Sequence, residues 1–301
     1  LIGLAPKELT QVHLNNSGAE AIEAAMKFAR KFTGKKGMVA MKGSYHGKSF
    51  GALSLTFNPK YRKAFAPLVE KVSFASFGDM DSLRSVIEED TAFIILEPIQ
   101  GESGIVVAPD GFLQEVRKLC DEKGILLVFD EIQAGLGRTG RLWAGEHWNT
   151  VPDILCLAKG IAGGVPMGAT LVKPGILAAI SKGEHSSTFG GNPISCAAGI
   201  AALTSLTEDG LIENSKNMGE MFRQGLEKLK EKHTMIREIR GKGLMIGIEM
   251  KFEVKDILMG LIQEGVLMLY SGRNILRILP PLVIKEEDVT KVLHALDVVI
   301  T

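Results

Sequence analysis

Ile125-Leu126-Leu127-Val128-Phe129-Asp130 and Ile154-Leu155-Cys156-Leu157-Ala158-Lys159 are uninterrupted apolar runs, the first ending in a carboxylate and the second in an ammonium group. A third run, Phe93-Ile94-Ile95-Leu96-Glu97, ends in another carboxylate. A strand with one face in water alternates apolar and polar residues, whereas a run that is apolar throughout belongs to a strand covered on both faces. Such strands form mainly parallel sheets sandwiched between helices. Helical patterns fill the intervals: residues 18–33 put Ile22, Ala25, Met26 and Ala29 on one face, and residues 111–123 also read as a helix. Gly37-Met38-Val39-Ala40-Met41 reads as a further short strand. Open α/β sheets bind ligands beyond the carboxyl ends of their strands. Glu97, Asp130 and Lys159 are therefore predicted to share one site.

From residue 205 onward the pattern changes. A long charged helix at 211–232 precedes Gly241-Lys242-Gly243 and the strand-like Leu244-Met245-Ile246-Gly247-Ile248-Glu249-Met250. A helix, two short strands around Leu267 and Ile278, and a last helix follow. The expected organisation is a large domain over residues 1–205 and a small C-terminal α/β domain over residues 206–301.

Composition narrows the function classes. Thirty-five basic residues balance thirty-five acidic ones, so no excess charge exists to neutralise a phosphate backbone, and nucleic acid is not an expected partner. Apolar residues make up 46% and no stretch reaches the length of a membrane span, so no membrane partner is expected. Cys120, Cys156 and Cys196 form neither a CxxC pair nor a zinc spacing, which fits a reduced cytoplasm and no metal. The chain opens at Leu1 rather than Met, which reads as a cut or incomplete sequence.

Four short motifs carry chemistry. In Asn15-Asn16-Ser17-Gly18-Ala19-Glu20-Ala21, Ser17 and Glu20 match a capping box. An ordinary helix cap explains that pair, and so does an anion site, where free N–H groups and the helix dipole favour a phosphate and Gly18 permits close approach. Gly43-Ser44-Tyr45-His46-Gly47-Lys48-Ser49 reads equally as a site loop or a glycine-rich turn. Asp130, in Val128-Phe129-Asp130-Glu131-Ile132-Gln133, ends a buried strand and requires a cationic or donor partner. Strand alternation, if carried past Asp130, sets Asp130 and Ile132 on one side and Glu131 on the other. Lys159, in Leu157-Ala158-Lys159-Gly160-Ile161-Ala162-Gly163-Gly164, stands where an amine is suited to Schiff-base chemistry, although lysine more often snorkels to water.

Taken in order, NSGAEA, SYHGKS, EPIQGESG, FDEIQAGLGRTG, LAKGIAGGVPMGA, STFGGNP and RILPPL resemble the class III (ornithine/acetylornithine/4-aminobutyrate) aminotransferases, from about residue 10 to the end. The resemblance implies a fold-type I pyridoxal-phosphate enzyme, with a mainly parallel seven-stranded sheet in the large domain. It implies that Ser17, Gly18 and Ala19 bind the cofactor phosphate, that Tyr45, with His46 beside it, stacks on the pyridine ring, and that Asp130 pairs with the ring nitrogen. Gln133 matches the residue near the ring hydroxyl. Lys159 matches the lysine that bonds to the aldehyde and then shuttles a proton. Thr188 matches the threonine that reaches the phosphate of a neighbouring subunit, which implies a homodimer. Arg277 matches the arginine that binds a carboxylate of glutamate or 2-oxoglutarate, and Glu97 is taken as the carboxylate that pairs with it when the reacting amine is distal.

Two departures from the family are visible. Family members carry a substantial segment ahead of the phosphate helix, and Lys48 stands where an arginine commonly holds the amine donor's carboxylate. A lysine is a point charge rather than a bidentate fork. The expected reaction moves the ω-amino group of an N-acylated ornithine or lysine to 2-oxoglutarate, as in arginine or lysine biosynthesis. The alternatives are 4-aminobutyrate or free ornithine as donor, or a truncated chain that binds cofactor without catalysis.

Overall fold

The three apolar runs lie side by side in the computed structural model, which describes residues 1–300. In chain order the strands begin with β1 (Gln11–Asn15), β2 (Gly37–Met41), β3 (Val72–Ala75) and β4 (Thr91–Leu96). A ribbon of β5 (Ile99–Gln100) and β6 (Val106–Val107) follows, then β7 (Leu126–Asp130), β8 (Ile154–Leu157) and β9 (Gly168–Val172). Apart from the ribbon these form one seven-stranded sheet in the order β1-β9-β8-β7-β4-β2-β3. Pairs from β3 through β8 are parallel, and β9 runs antiparallel to both β8 and β1. The central strands β4, β7 and β8 are buried almost throughout, as their lack of alternation requires.

One helix, α1 (Gly18–Thr33), shows how the sequence sets the layer on this sheet. Ser17 caps its start by accepting the Glu20 N–H, and Gly34 ends it in the left-handed conformation. Its buried face carries Ala21, Ile22, Ala24, Ala25, Met26, Phe28 and Ala29. That face joins Val128, Ile154 and Cys156 in one core. The alanines let the helix backbone approach the strands, and Ile22 and Phe28 each contribute about 1.5–3 kcal/mol of burial. A bulkier residue at Ala25, which is fully buried, would cost about 1–3 kcal/mol by overpacking.

The chain divides into two compact units. The second holds a four-stranded antiparallel sheet of β10 (Ile236–Lys242), β11 (Met245–Met250), β12 (Leu269–Ser271) and β13 (Ile275–Ile278), in the order β10-β11-β13-β12. Phe222, Leu226, Leu244, Ile248, Leu261, Leu276 and Leu296 centre its core. Ile99–Val107 and Ala134–Ala144 also belong to the second unit, which otherwise starts at Leu206. The reason is local pairing: the Leu244 N–H donates to the Arg138 carbonyl, and Gly243 lies so close to Thr139 that a Cβ would sit 2.4 Å from its carbonyl carbon. Neither segment announces itself by a change in composition.

Candidate active site

Because β4, β7 and β8 are parallel neighbours, their carboxyl ends emerge on the same edge of the sheet. Asp130 is the last residue of β7 and is buried. One carboxylate oxygen lies 2.7 Å from Nδ1 of the buried His46, and the other accepts the Ile132 N–H at 3.0 Å. A proton on Nδ1 satisfies the imidazole contact, leaving Nε2 as a buried acceptor with no partner. The strand stops at Asp130, so alternation does not continue past it. Glu131 turns away, its carboxylate accepting the Gly145 N–H at 2.8 Å. Beside Asp130 on β8, the Cys156 thiol is held well above its ordinary range, first by burial and then by the Asp130 charge.

Lys159 lies just past β8, opening a short 3-10 turn, Lys159–Ala162. Its φ is +46°, a left-handed conformation that costs a non-glycine residue about 1–2 kcal/mol. Strain of this kind concentrates at functional sites, and here it sets an exposed amine at the strand tip.

At the start of α1 one arm of the capping box forms, Glu20 N–H donating to Ser17 Oγ at 3.2 Å, while the Glu20 carboxylate accepts the N–H of Asn16, one residue before the cap, at 2.9 Å. The amides of Gly18 and Ala19 lie in the first turn, where no intrahelical carbonyl is available. A Cβ on Gly18 would fall 2.9 Å from Ile132 Cδ1, so glycine is what lets this helix start pack against the loop beyond Asp130. The loop carrying Thr188 is tied to the same end: Asn16 Nδ2 donates to Ser187 Oγ at 3.0 Å, while Thr188 itself is exposed.

The Tyr45 N–H donates to Glu97 Oε1 at 3.0 Å. The Tyr45 ring meets Tyr61 edge-on at 5.8 Å, and the Lys48 ammonium lies 4.8 Å from the centre of the Tyr61 ring. Tyr61, which links the aromatic to the cation, is not singled out by any sequence motif.

In the second unit Arg277 pairs with a carboxylate. Its Nη1 donates to Glu102 Oε1 at 2.7 Å and to the Gly101 carbonyl at 3.2 Å. Glu97 instead binds the Tyr45 amide from its strand-end position. Glu102 lies five residues beyond Glu97 in the same EPIQGESG motif. Arg277 Nε is buried without a partner.

The tips in the first unit present a primary amine, a buried carboxylate braced by an imidazole, an aromatic ring, and a helix start whose first amides have no intrahelical carbonyl. His46 Nε2 and Gln133 Oε1 are buried and have no hydrogen-bond partner among the described residues. This donor set fits pyridoxal 5'-phosphate, a group with an aldehyde, a ring nitrogen, a ring hydroxyl and a phosphate.

Comparison with known proteins agrees with that chemistry. The aminotransferase class III family model matches residues 1–300, and the chain belongs to that family. The chain is 44% identical over 294 residues to an acetylornithine aminotransferase of Methanopyrus kandleri, covering 97% of this chain and 75% of that protein. It is 42% identical over 292 residues to a LysW-aminoadipate semialdehyde/glutamate semialdehyde transaminase of Sulfurisphaera tokodaii, with coverage of 97% and 75%. The ornithine aminotransferase structure from Toxoplasma gondii superposes with a TM-score of 0.92 at 34% identity, covering 96% of this chain and 73% of that one, and that protein shows partial occupancy by the cofactor. The fold is therefore the fold-type I transaminase fold, the protein is a transaminase, and pyridoxal 5'-phosphate is its cofactor.

Proposed function

We propose that the chain transfers the ω-amino group of an N-acylated ornithine or lysine to 2-oxoglutarate in two half-reactions, releasing a semialdehyde and then glutamate. When bound, pyridoxal phosphate supplies the aldehyde that takes up the nitrogen and the ring that accepts an electron pair. Lys159 would hold the aldehyde and carry a proton on its own Nζ. Asp130, braced by His46, would keep the ring nitrogen protonated. Tyr45 would hold the ring, Gln133 its hydroxyl, and Ser17, Gly18 and Ala19 the phosphate. Lys48 takes the carboxylate of the amine donor.

The observation that carries the substrate reading is the Arg277–Glu102 pair at 2.7 Å. A donor that reacts through a distal amine brings no carboxylate to Arg277, so the pair stays closed. 2-Oxoglutarate brings one, and the planar guanidinium exchanges Glu102 for it. Names of relatives such as the acetylornithine and LysW-aminoadipate semialdehyde enzymes favour the acylated donors. Free ornithine is the second reading, since it also reacts through a distal amine and a similar structure belongs to an ornithine aminotransferase. Initial rates of purified holoenzyme with 2-oxoglutarate separate the readings. N-Acetylornithine is expected to lead, 4-aminobutyrate to trail, and a lead by free ornithine or 4-aminobutyrate would overturn the choice.

The same reading includes a homodimer in which Thr188 completes the partner's phosphate site. The apolar helix Pro193–Glu208 supports it: Ile194 and Ile200 on that helix, and Phe189 just before it, stand 75%, 69% and 69% exposed, an apolar surface that a second copy would cover. Three free cysteines support a reducing compartment, in line with the cytoplasm.

A further inference from the structure

We infer that Arg138 is a positioning residue for Arg277: it supplies the hydrogen-bond donor that Pro280 lacks and so fixes the end of the strand on which Arg277 sits. The inference rests on the proposed role of Arg277 toward the keto-acid carboxylate.

Strands β11 and β13 pair antiparallel, with Gly247 opposite Arg277 and Ile246 opposite Ile278. The ladder ends there: Leu244 lies in the turn before β11, and Pro280 lies beyond the end of β13. Proline has no N–H, so Pro280 cannot extend the ladder with a main-chain donor. Arg138 fills the gap. Its Nη1 donates to the Leu244 carbonyl at 3.2 Å and to the Pro280 carbonyl at 2.5 Å. Its own carbonyl accepts the Leu244 N–H at 3.0 Å and the Ser215 hydroxyl at 3.0 Å. One residue thus meets both main-chain groups of Leu244 and holds the carbonyl three residues beyond Arg277.

The guanidinium does this without a counter-charge. No carboxylate pairs with Arg138 among the described residues, and burial lowers its affinity for a proton to about 10. Holding an unpaired cation under the surface is costly unless carbonyl dipoles compensate it. Two carbonyls just outside the ends of neighbouring strands do so, and their separation then sets the spacing where the ladder opens. Arg277, which keeps a buried Nε without a partner, takes its aim from that strand. A side chain without a donor at 138 leaves both carbonyls unsatisfied and lets the Pro280 end drift. Displacement by about 1 Å at a positioning element costs up to about a hundredfold in rate.

The test uses holoenzyme carrying Arg138→Met, Arg138→Lys or Arg277→Gln, with the two half-reactions followed separately through the absorbance of the bound cofactor. Arg138→Met is expected to raise the KM for 2-oxoglutarate about tenfold, equivalent to about 1.4 kcal/mol, while the N-acetylornithine half-reaction stays within about twofold of wild type. Arg138→Lys, which keeps one charged donor, is expected to fall between. If Arg138→Met does not fold, the lysine variant carries the test alone: a selective rise in the 2-oxoglutarate KM supports the inference, and an unchanged one ends it. Equal losses in both half-reactions would mean a merely structural role and would overturn it. Arg277→Gln separates the two levels. A raised 2-oxoglutarate KM in Arg277→Gln with none in either Arg138 variant defeats the positioning role only, whereas an unchanged KM in Arg277→Gln defeats the reading beneath it.

Discussion

Asp130 and Glu131 are adjacent buried carboxylates with opposite duties, and replacing each by its amide separates them. Asp130→Asn keeps an oxygen for the Ile132 N–H, which now spans 3.0 Å, but removes the charge that His46 and the ring nitrogen require. A hydrogen bond to a charged group contributes about 1.5–3 kcal/mol. Losing one such bond at the ring lowers kcat/KM by about ten- to a hundred-and-fifty-fold. Glu131→Gln loses charge on the far side, where the carboxylate takes the Gly145 N–H at 2.8 Å. There Gln keeps an oxygen for that N–H, so only the difference between a charged and a neutral hydrogen bond appears as lost stability, about 1 kcal/mol, with kcat/KM near wild type. The assay is steady-state turnover at saturating cofactor, paired with urea unfolding of each variant. An Asp130→Asn enzyme within about threefold of wild type, with its cofactor bound, would refute the assignment, and so would a Glu131→Gln enzyme that folds fully and turns over no faster than Asp130→Asn.

Two further outcomes follow from the geometry. Glu102→Gln removes the charge that competes for Arg277, and because Glu102 is partly exposed the pair is worth about 0.2–1 kcal/mol; the KM for 2-oxoglutarate is expected to drop by up to about fivefold, and a rise would contradict the exchange. His13 sits edge-on to Phe28 and 4.7 Å from His185, and its affinity for a proton is lowered, chiefly by burial and further by Lys27, against an opposing pull from Glu20. With the folded value below the unfolded 6.5, the unfolded chain binds the proton first, so this contribution to stability is full above 6.5 and is lost as pH falls through 6.5 toward the folded value. Melting temperature measured between pH 8 and pH 5 is therefore expected to fall less steeply in His13→Phe than in wild type, and parallel curves would exclude His13 as a contributor.

The central sheet is legible because burial on both faces leaves its mark residue by residue: β4, β7 and β8 are apolar runs, and their tips name Glu97, Asp130 and Lys159. Strands held by distant partners leave no such mark. The half-buried β1 is fixed by its pairing with β9, and β10 reads as a charged exposed segment because only part of it faces the core. Glu97 and Glu102 show the limit at the site. The strand-end rule names Glu97, whose carboxylate accepts the Tyr45 N–H, but gives no sign of Glu102, which pairs with Arg277 from the turn between β5 and β6. Arg138 is equally silent in sequence, since its task depends on a missing N–H at Pro280, far along the chain.

The most direct measurement is reduction of the holoenzyme with borohydride, followed by peptide mapping of the fixed cofactor. The modification is expected on Lys159 alone, in the peptide spanning Leu157-Ala158-Lys159-Gly160, and Lys159→Ala should retain none. Cofactor fixed to any other lysine of fully loaded protein, or to none, would contradict the site.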